Sequence, residues 1–448
     1  MSATSTARTS SDGHGSLLVL GLLSMIVGLG AGLTGAAFRI ALVQADRLRD
    51  ALIDWAQGEH LTGLLLLTGA ITVAVTLAAW LVDHFAPAAS GSGIPHVEAV
   101  LRGELSQAPY RLIPVKFFGG LLAIGSGLAL GREGPTVQMG ASIGGFIGRF
   151  FRRNWPDCRV LLAAGAGAGL ATAFNAPIAG AIFVLEELVG RFEHRIAIAA
   201  LGASATAIAM ARVLLVDAPD FHVNALAYAT VETRPLYFIF GALVGLVAIL
   251  YNRALLATSA LAERLGRWPV PLRAALIGAA VGLLAWFAPA LVGGGDPITQ
   301  RALTGTDAAG FVAGAFLLRF ALSTVSYAAR TPGGLFAPLL VLGAQLGLLY
   351  GAFCRLALPR LPIEPEAFAV VGMAGLFAGV VRAPITGIVL VVEMTASVTM
   401  LLPMLGACFA AMLVPFMLGN APIYESLRTE LLRRNGAAPP RENSRAGS

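Results

Sequence analysis

The chain has 448 residues, of which 57% are hydrophobic and only 12% charged, with a formal net charge of +6. Soluble domains carry roughly a quarter charged residues. With a mean hydropathy of +0.77, this composition excludes both an ordinary soluble protein and a disordered one. What remains is an all-α polytopic membrane protein, because a transmembrane barrel would show short alternating strands rather than long apolar blocks. The positive charge reads as arginine at membrane edges. No basic patch is interleaved with aromatics, so nucleic-acid binding is excluded.

In chain order, residues 1–15 are small and polar and read as a disordered N-terminal tail. The apolar stretch from Ser16 to Val43 is too long for a signal peptide and reads as a retained membrane helix. A spanning helix needs about 20 apolar residues. Blocks 16–45, 61–86, 196–216, 234–262, 270–292, 308–329 and 395–418 meet that need. Other apolar blocks are cut at Gly91–Pro95, Gly131–Pro135, Asn175–Pro177, Thr331–Pro338 and Arg382–Pro384. Interrupted backbone at membrane depth is tolerated only where protein or a hydrated cavity supplies hydrogen-bond partners, so the cuts point to a lined pathway. Residues 16–432 thus form one transmembrane domain, and 433–448 read as a disordered C-terminal tail.

Basic residues cluster at Arg149, Arg152, Arg153 and Arg159, at Arg253, Arg264, Arg267 and Arg273, and at Arg428, Arg433 and Arg434. The positive-inside rule places these, and both termini, on the cytoplasmic side. Lys116 is the only lysine among 31 basic residues and reads as compositional bias. The three cysteines, Cys158, Cys354 and Cys408, form no CxxC and support neither a disulfide framework nor a zinc site. No metal or organic cofactor is expected.

The interrupted blocks repeat, one copy at about 90–190 and the other at about 295–400. Gly131–Pro135 aligns with Gly334–Pro338, and Gly140, Ala141 and Gly144 pair with Gly343, Ala344 and Gly347. Further on, Ala176-Pro177-Ile178 pairs with Ala383-Pro384-Ile385, and Glu186 with Glu393. Gly/Pro-interrupted segments at matching places in two halves mark a transporter's binding site. Glu186 and Glu393, present in both halves, read as structural. Glu133 faces Phe336 and Glu187 faces Met394, so these two acids belong to the first half alone and are the functional candidates.

Three cuts share one grammar: glycines, a proline, then an apolar run. Proline suits the first turn of a helix, and glycine lets backbone N–H groups approach a ligand. Several positive helix ends converging at mid-membrane make an anion site without a full cation. Ser92, within Gly91-Ser-Gly-Ile-Pro95, and the Tyr424 phenol can donate to an anion that has lost water. Glu133, between Arg132 and Gly134, competes with such an anion for the same N–H groups, and protonation releases it. That links proton uptake to anion movement, and Glu187 supplies a second proton-accepting carboxylate. Gly140-Ala-Ser-Ile-Gly144 fits the GxSxG pattern of serine hydrolases and intramembrane proteases, but no histidine lies centrally in an apolar span, and helix packing explains it better. Gly30-Ala-Gly-Leu-Thr-Gly35 fits GxGxxG but lies inside an apolar helix. No Walker lysine is present, which excludes ATP-driven transport.

These residues resemble the CLC family of chloride channels and chloride/proton exchangers. The three signature stretches read GSGIP (91–95), GREGP (131–135) and GGLFAP (333–338), joined by Pro177 and Tyr424. The resemblance runs from about residue 16 to 432. It implies a homodimer with one pathway per subunit, built from inverted repeats. It implies chloride coordination by the Ser92 and Tyr424 hydroxyls and by the backbone amides of Leu335 and Phe336. It implies an outer anion site and gate at Arg132, Glu133 and Gly134, and proton transfer by Glu133 and Glu187. Having both glutamates favours an antiporter of the inner membrane over a passive chloride channel, the alternative within the family. Ser92, where nitrate-preferring relatives often carry proline, favours chloride. One departure is His96, which stands where many relatives have glutamate.

Overall fold

A computed structural model describes residues 8–436, apart from 217, 265 and 267. The first half contains α1 (Arg8–Gly58), α2 (His60–Phe85), α3 (Ile94–Leu101), α4 (Leu112–Gly125), α5 (Glu133–Phe150), α6 (Trp155–Phe174), α7 (Pro177–Phe183) and α8 (His194–Leu214). The second contains α9 (Arg234–Arg264), α10 (Val270–Phe287), α11 (Asp296–Thr304), α12 (Ala309–Ala328), α13 (Phe336–Ala357), α14 (Pro365–Val381), α15 (Pro384–Thr395) and α16 (Leu401–Met417). Helix α17 (Ile423–Arg434) follows. The protein is an all-α, multi-pass membrane protein.

Among the described residues, eight helices are long and apolar enough to cross a bilayer. Six of them coincide with blocks read from the sequence. The other two, α6 and α13, come from the interrupted stretches, and 94% and 72% of their most apolar windows are buried. They form inner walls, where small residues let backbones touch. A methyl group on Gly140 would overlap the carbonyl of Gly165, and one on its repeat mate Gly343 would overlap the carbonyl of Gly372. The seventh apolar block, 395–418, contracts to the 17-residue α16. Helix α1 begins at Arg8, inside the stretch read as an N-terminal tail, because an established helix propagates readily. Likewise α17 takes up the first residues of the C-terminal tail. Residues 1–7 and 437–448 of those tails lie outside the described residues.

The packing repeats along with the sequence. Helix α5 packs on α6 as α13 packs on α14, and α1 packs on α6 and α8 as α9 packs on α14 and α16. The duplicated unit is therefore eight helices, wider than the 90–190 and 295–400 stretches that match by eye.

The halves are joined by a reciprocal pair of caps. The Glu393 carboxylate, at the end of α15, accepts the N–H groups of Ile178 (3.0 Å) and Ala179 (2.8 Å), which open α7. The Glu186 carboxylate, just past α7, accepts those of Ile385 (3.0 Å) and Thr386 (2.7 Å), which open α15. Each acid satisfies donors that a helix start leaves unpaired and faces the positive end of that helix's dipole. Such an exchange requires α7 and α15 to lie antiparallel, so the two repeats are inverted with respect to each other. Replacing Glu186 or Glu393 by alanine is expected to lower stability by about 1 kcal/mol each, since helix-start N–H groups lose a charged acceptor. Thermal unfolding in detergent checks this, with transport per folded molecule preserved.

Candidate functional site

Two short backbone bridges draw the glycine-rich cuts together. The Gly91 N–H donates to the Thr331 carbonyl and the Gly333 N–H to the Gly91 carbonyl, both at 3.1 Å. The Gly131 N–H donates to Gly334 at 2.9 Å, and the Gly334 N–H returns the bond at 2.7 Å. Away from water these groups must find partners, and chains without side chains approach closely enough to supply them. The result sets the starts of α3, α5 and α13 around one point. Gly93 caps α3 at φ +83°, a left-handed angle, and Gln138 fills the space a side chain there would need.

Glu133 opens α5 and is fully buried. Its Oε1 accepts the N–H of Phe336, the first residue of α13, at 2.7 Å. Phe336 is the repeat counterpart of Glu133, so the acid of one half inserts into the helix start of the other. The second oxygen, Oε2, is buried with no hydrogen-bond partner. Gly131 and Gly334 flank the carboxylate so closely that a methyl group on either would overlap it. Gly134 lies against the Ser92 backbone and side chain, fixing the first turn of α5 on the GSGIP loop.

Ser92 and Tyr424 are fully buried, and their hydroxyls have no hydrogen-bond partner among the described residues. The Phe336 ring lies 6.0 Å from that of Tyr424 and is held edge-on by Phe377 at 4.5 Å and Phe183 at 5.7 Å. Leu335, the cap of α13, is fully buried. Ser92, Glu133, Leu335, Phe336 and Tyr424 are thus brought to one buried centre.

Arg132 is not. It forms no ion pair with Glu133. Its guanidinium is taken by Asp220 at 3.0 Å, Asp296 at 3.1 Å and the Ala173 carbonyl at 2.8 Å. Asp220 also binds Arg39 at 2.8 Å. These carboxylates lie far away in sequence, Asp220 in a loop and Asp296 as the first residue of α11, where beside Pro297 it carries only the signal of a helix start. Glu187 stands apart from Glu133, in a π-helical turn, Val184–Val189, that packs on α3, α6 and α8. Single π turns inside helices recur at functional sites. Nearby, Glu98 of α3 pairs with Arg428 of α17, tying the helix that follows Ser92 to the helix that carries Tyr424.

Two cavities border the loops that form the centre. One of about 510 Å³ is bounded by Gly91, Gly93, His96, Tyr327, Arg330 and Arg434. The other, of about 380 Å³, is bounded by Asp46, Gly131, Arg132, Gly294, Asp296 and Ala337. Gly91 and Gly93, on either side of Ser92, line the first, and Gly131 and Arg132, next to Glu133, line the second. Gly131 and Gly334 have no left-handed angle, so alanine there is disfavoured by contact alone. Gly334→Ala is expected to expel the carboxylate and give anion flux at least tenfold less sensitive to pH, a change equivalent to about 1.4 kcal/mol. Flux from liposomes across a pH series checks it, and an unchanged profile would show that the carboxylate does not need that space.

The sequence profile described as "Voltage gated chloride channel" matches residues 73–415. The H(+)/Cl(-) exchange transporter ClcA of Vibrio cholerae serotype O1 (strain M66-2) is 38% identical over 437 residues, covering 94% of this chain and 92% of that protein. The ClcA exchanger of Cronobacter sakazakii (strain ATCC BAA-894) is 38% identical over 434 residues, covering 94% and 91%. Among solved structures, a slow cyanobacterial Cl-/H+ antiporter superposes with a TM-score of 0.89 at 32% identity, covering 93% of this chain and 99% of that one. A CLC-type fluoride/proton antiporter shares the fold, with a TM-score of 0.77 at 24% identity over 91% of this chain and 97% of that one.

Proposed function

The chain belongs to the CLC family of chloride channels and chloride/proton exchangers, and on that premise we propose that it moves chloride across the membrane in exchange for protons. The observation that carries this is the buried Glu133 carboxylate accepting the Phe336 N–H at 2.7 Å, at the helix start whose amides an anion would also need. A carboxylate and a chloride ion compete for one set of donors. Protonated, Glu133 loses the charge that holds it against Phe336, and the site passes to the anion. Deprotonated, it returns and closes the route. Chloride occupancy and proton occupancy are thereby tied to one side chain.

Within the pathway, the Ser92 and Tyr424 hydroxyls and the amides of Leu335 and Phe336 hold a partly dehydrated chloride. These are partial charges, strong enough to replace water and weak enough to release the ion. Gly134 gives the room and Arg132 anchors the loop on which Glu133 turns. Glu187 receives protons from the other side. The relatives named as exchangers and the presence of Glu187 support exchange over a passive channel.

The site is built from one chain, which supports a complete pathway in each subunit of the homodimer that the family implies. The transmembrane domain at 16–432 sits in the inner membrane. Arg273, Arg330 and Arg434 line the larger cavity, which by the positive-inside rule is the cytoplasmic mouth, with both termini on that side. Purified protein in liposomes with a chloride gradient is expected to drive proton uptake. Glu133→Gln leaves chloride flux and abolishes proton movement, whereas Glu187→Gln keeps chloride flux and uncouples it. Ser92→Pro raises nitrate preference. Chloride flux in the unaltered protein with no coupled proton movement would establish the channel instead.

A further inference from the structure

Two cations fully buried within the protein play no part in the mechanism above: Lys116 on α4 and Arg319 on α12. Every hydrogen bond they make goes to a backbone carbonyl. Lys116 Nζ donates to Ala89 at 2.9 Å and to Gly91 at 2.7 Å. Arg319 donates to Leu291 at 3.1 Å, Gly293 at 2.6 Å and Gly294 at 3.0 Å. Ala89 and Gly91 stand 202 positions before Leu291 and Gly293, and Lys116 stands 203 before Arg319, which is the spacing of the repeat.

The loops they hold are twins. Each follows a short 3-10 turn, Pro87–Ala89 or Pro289–Leu291. Each has two left-handed glycines, at φ +62° and +83° for Gly91 and Gly93 and +80° and +101° for Gly293 and Gly295. Each leads into a helix whose second residue is proline. Gly91-Ser-Gly-Ile-Pro95 therefore has a counterpart in Gly293-Gly-Gly-Asp-Pro297. Pinning two or three carbonyls needs only neutral donors, and burying a charge without a carboxylate is costly. A full cation at the same place in both halves is more than packing requires.

Each clamp bears on a different end of the pathway. The Gly91 carbonyl that Lys116 holds also accepts the Gly333 N–H, and Ser92 is the next residue. The loop held by Arg319 ends at Asp296, whose carboxylate takes Arg132 at 3.1 Å beside Glu133. We propose that Lys116 and Arg319 are a repeat-related pair of positioning residues, Lys116 fixing the loop that presents Ser92 to the anion and Arg319 fixing the loop that presents Asp296 to Arg132 beside the gate. This rests on the anion pathway assigned above.

The test compares Lys116→Met, Lys116→Arg, Arg319→Met and Arg319→Lys by calorimetric titration with chloride and with nitrate, and by liposome exchange across a series of external pH. Lys116→Met is expected to weaken chloride binding about tenfold and to narrow the chloride-over-nitrate preference, with Lys116→Arg intermediate. Arg319→Met is expected to keep the preference and shift the pH dependence of exchange, with Arg319→Lys restoring part of it. Folded variants at both positions with unaltered anion preference and pH profile would overturn the proposal. Should either methionine variant fail to fold, an unaltered preference in Lys116→Arg or an unaltered profile in Arg319→Lys overturns it equally. An unaltered protein that binds no chloride would instead remove the anion site itself.

Discussion

Two backbone bridges, between Gly91 and Pro332 and between Gly131 and Gly334, carry the rest of the structure. A membrane interior leaves no N–H or C=O group unpaired without a penalty of several kcal/mol, so a chain that breaks a helix there must repair the break. Here three breaks repair one another. That repair fixes the starts of α3, α5 and α13 around a common point, and helix starts bring free donors and a positive dipole end. A site for an anion follows from closing the broken backbone, before any side chain is considered. Glycine is required at 131 and 334 because that bridge has no room for Cβ atoms, and that same absence leaves the space the Glu133 carboxylate fills.

The inverted repeat gives this arrangement its rigidity. Glu186 and Glu393 exchange caps across α7 and α15, so the two halves hold each other at their own weak points. A cap on one's own helix would satisfy the same donors, but it would not bind one half to the other. The burial of α6 and α13 has the same origin. Both are rich in small residues, and close backbone contact replaces the hydrophobic driving force that is missing between helices in lipid.

Much of this was legible in the sequence, and the failures have physical reasons. Long apolar blocks fixed six of the eight long helices, because bilayer thickness sets helix length directly. The repeat was visible where Gly and Pro recur, but its true extent was not. Outer helices such as α1 and α9 face lipid, where any apolar residue serves and the sequence match fades while the packing stays. Ser92, Glu133 and Phe336 were found because each sits in a punctuated motif. Asp220 and Asp296 were missed because an acid in a loop or at a helix start carries no sign of the arginine it will meet. Lys116 was misread as compositional bias, although a lone lysine inside an apolar run is itself an anomaly that asks for buried acceptors.

The duplication also separates structure from transport. Where the halves agree, the residues hold the fold: Gly140 and Gly343 at a close crossing, Glu186 and Glu393 as caps. Where they differ, the first half carries Ser92, Glu133 and Glu187, and the second has Gly294, Phe336 and Met394. A perfectly symmetric pathway would place two identical gates on opposite faces, and the anion would meet the same competitor twice. Having Phe336 where the first half has Glu133 leaves that helix start open to whatever occupies the site. The remaining carboxylate then has a single place to go, the amide that its own counterpart no longer contests. The asymmetry at these three pairs, set in a shared architecture, leaves one movable carboxylate for one anion pathway.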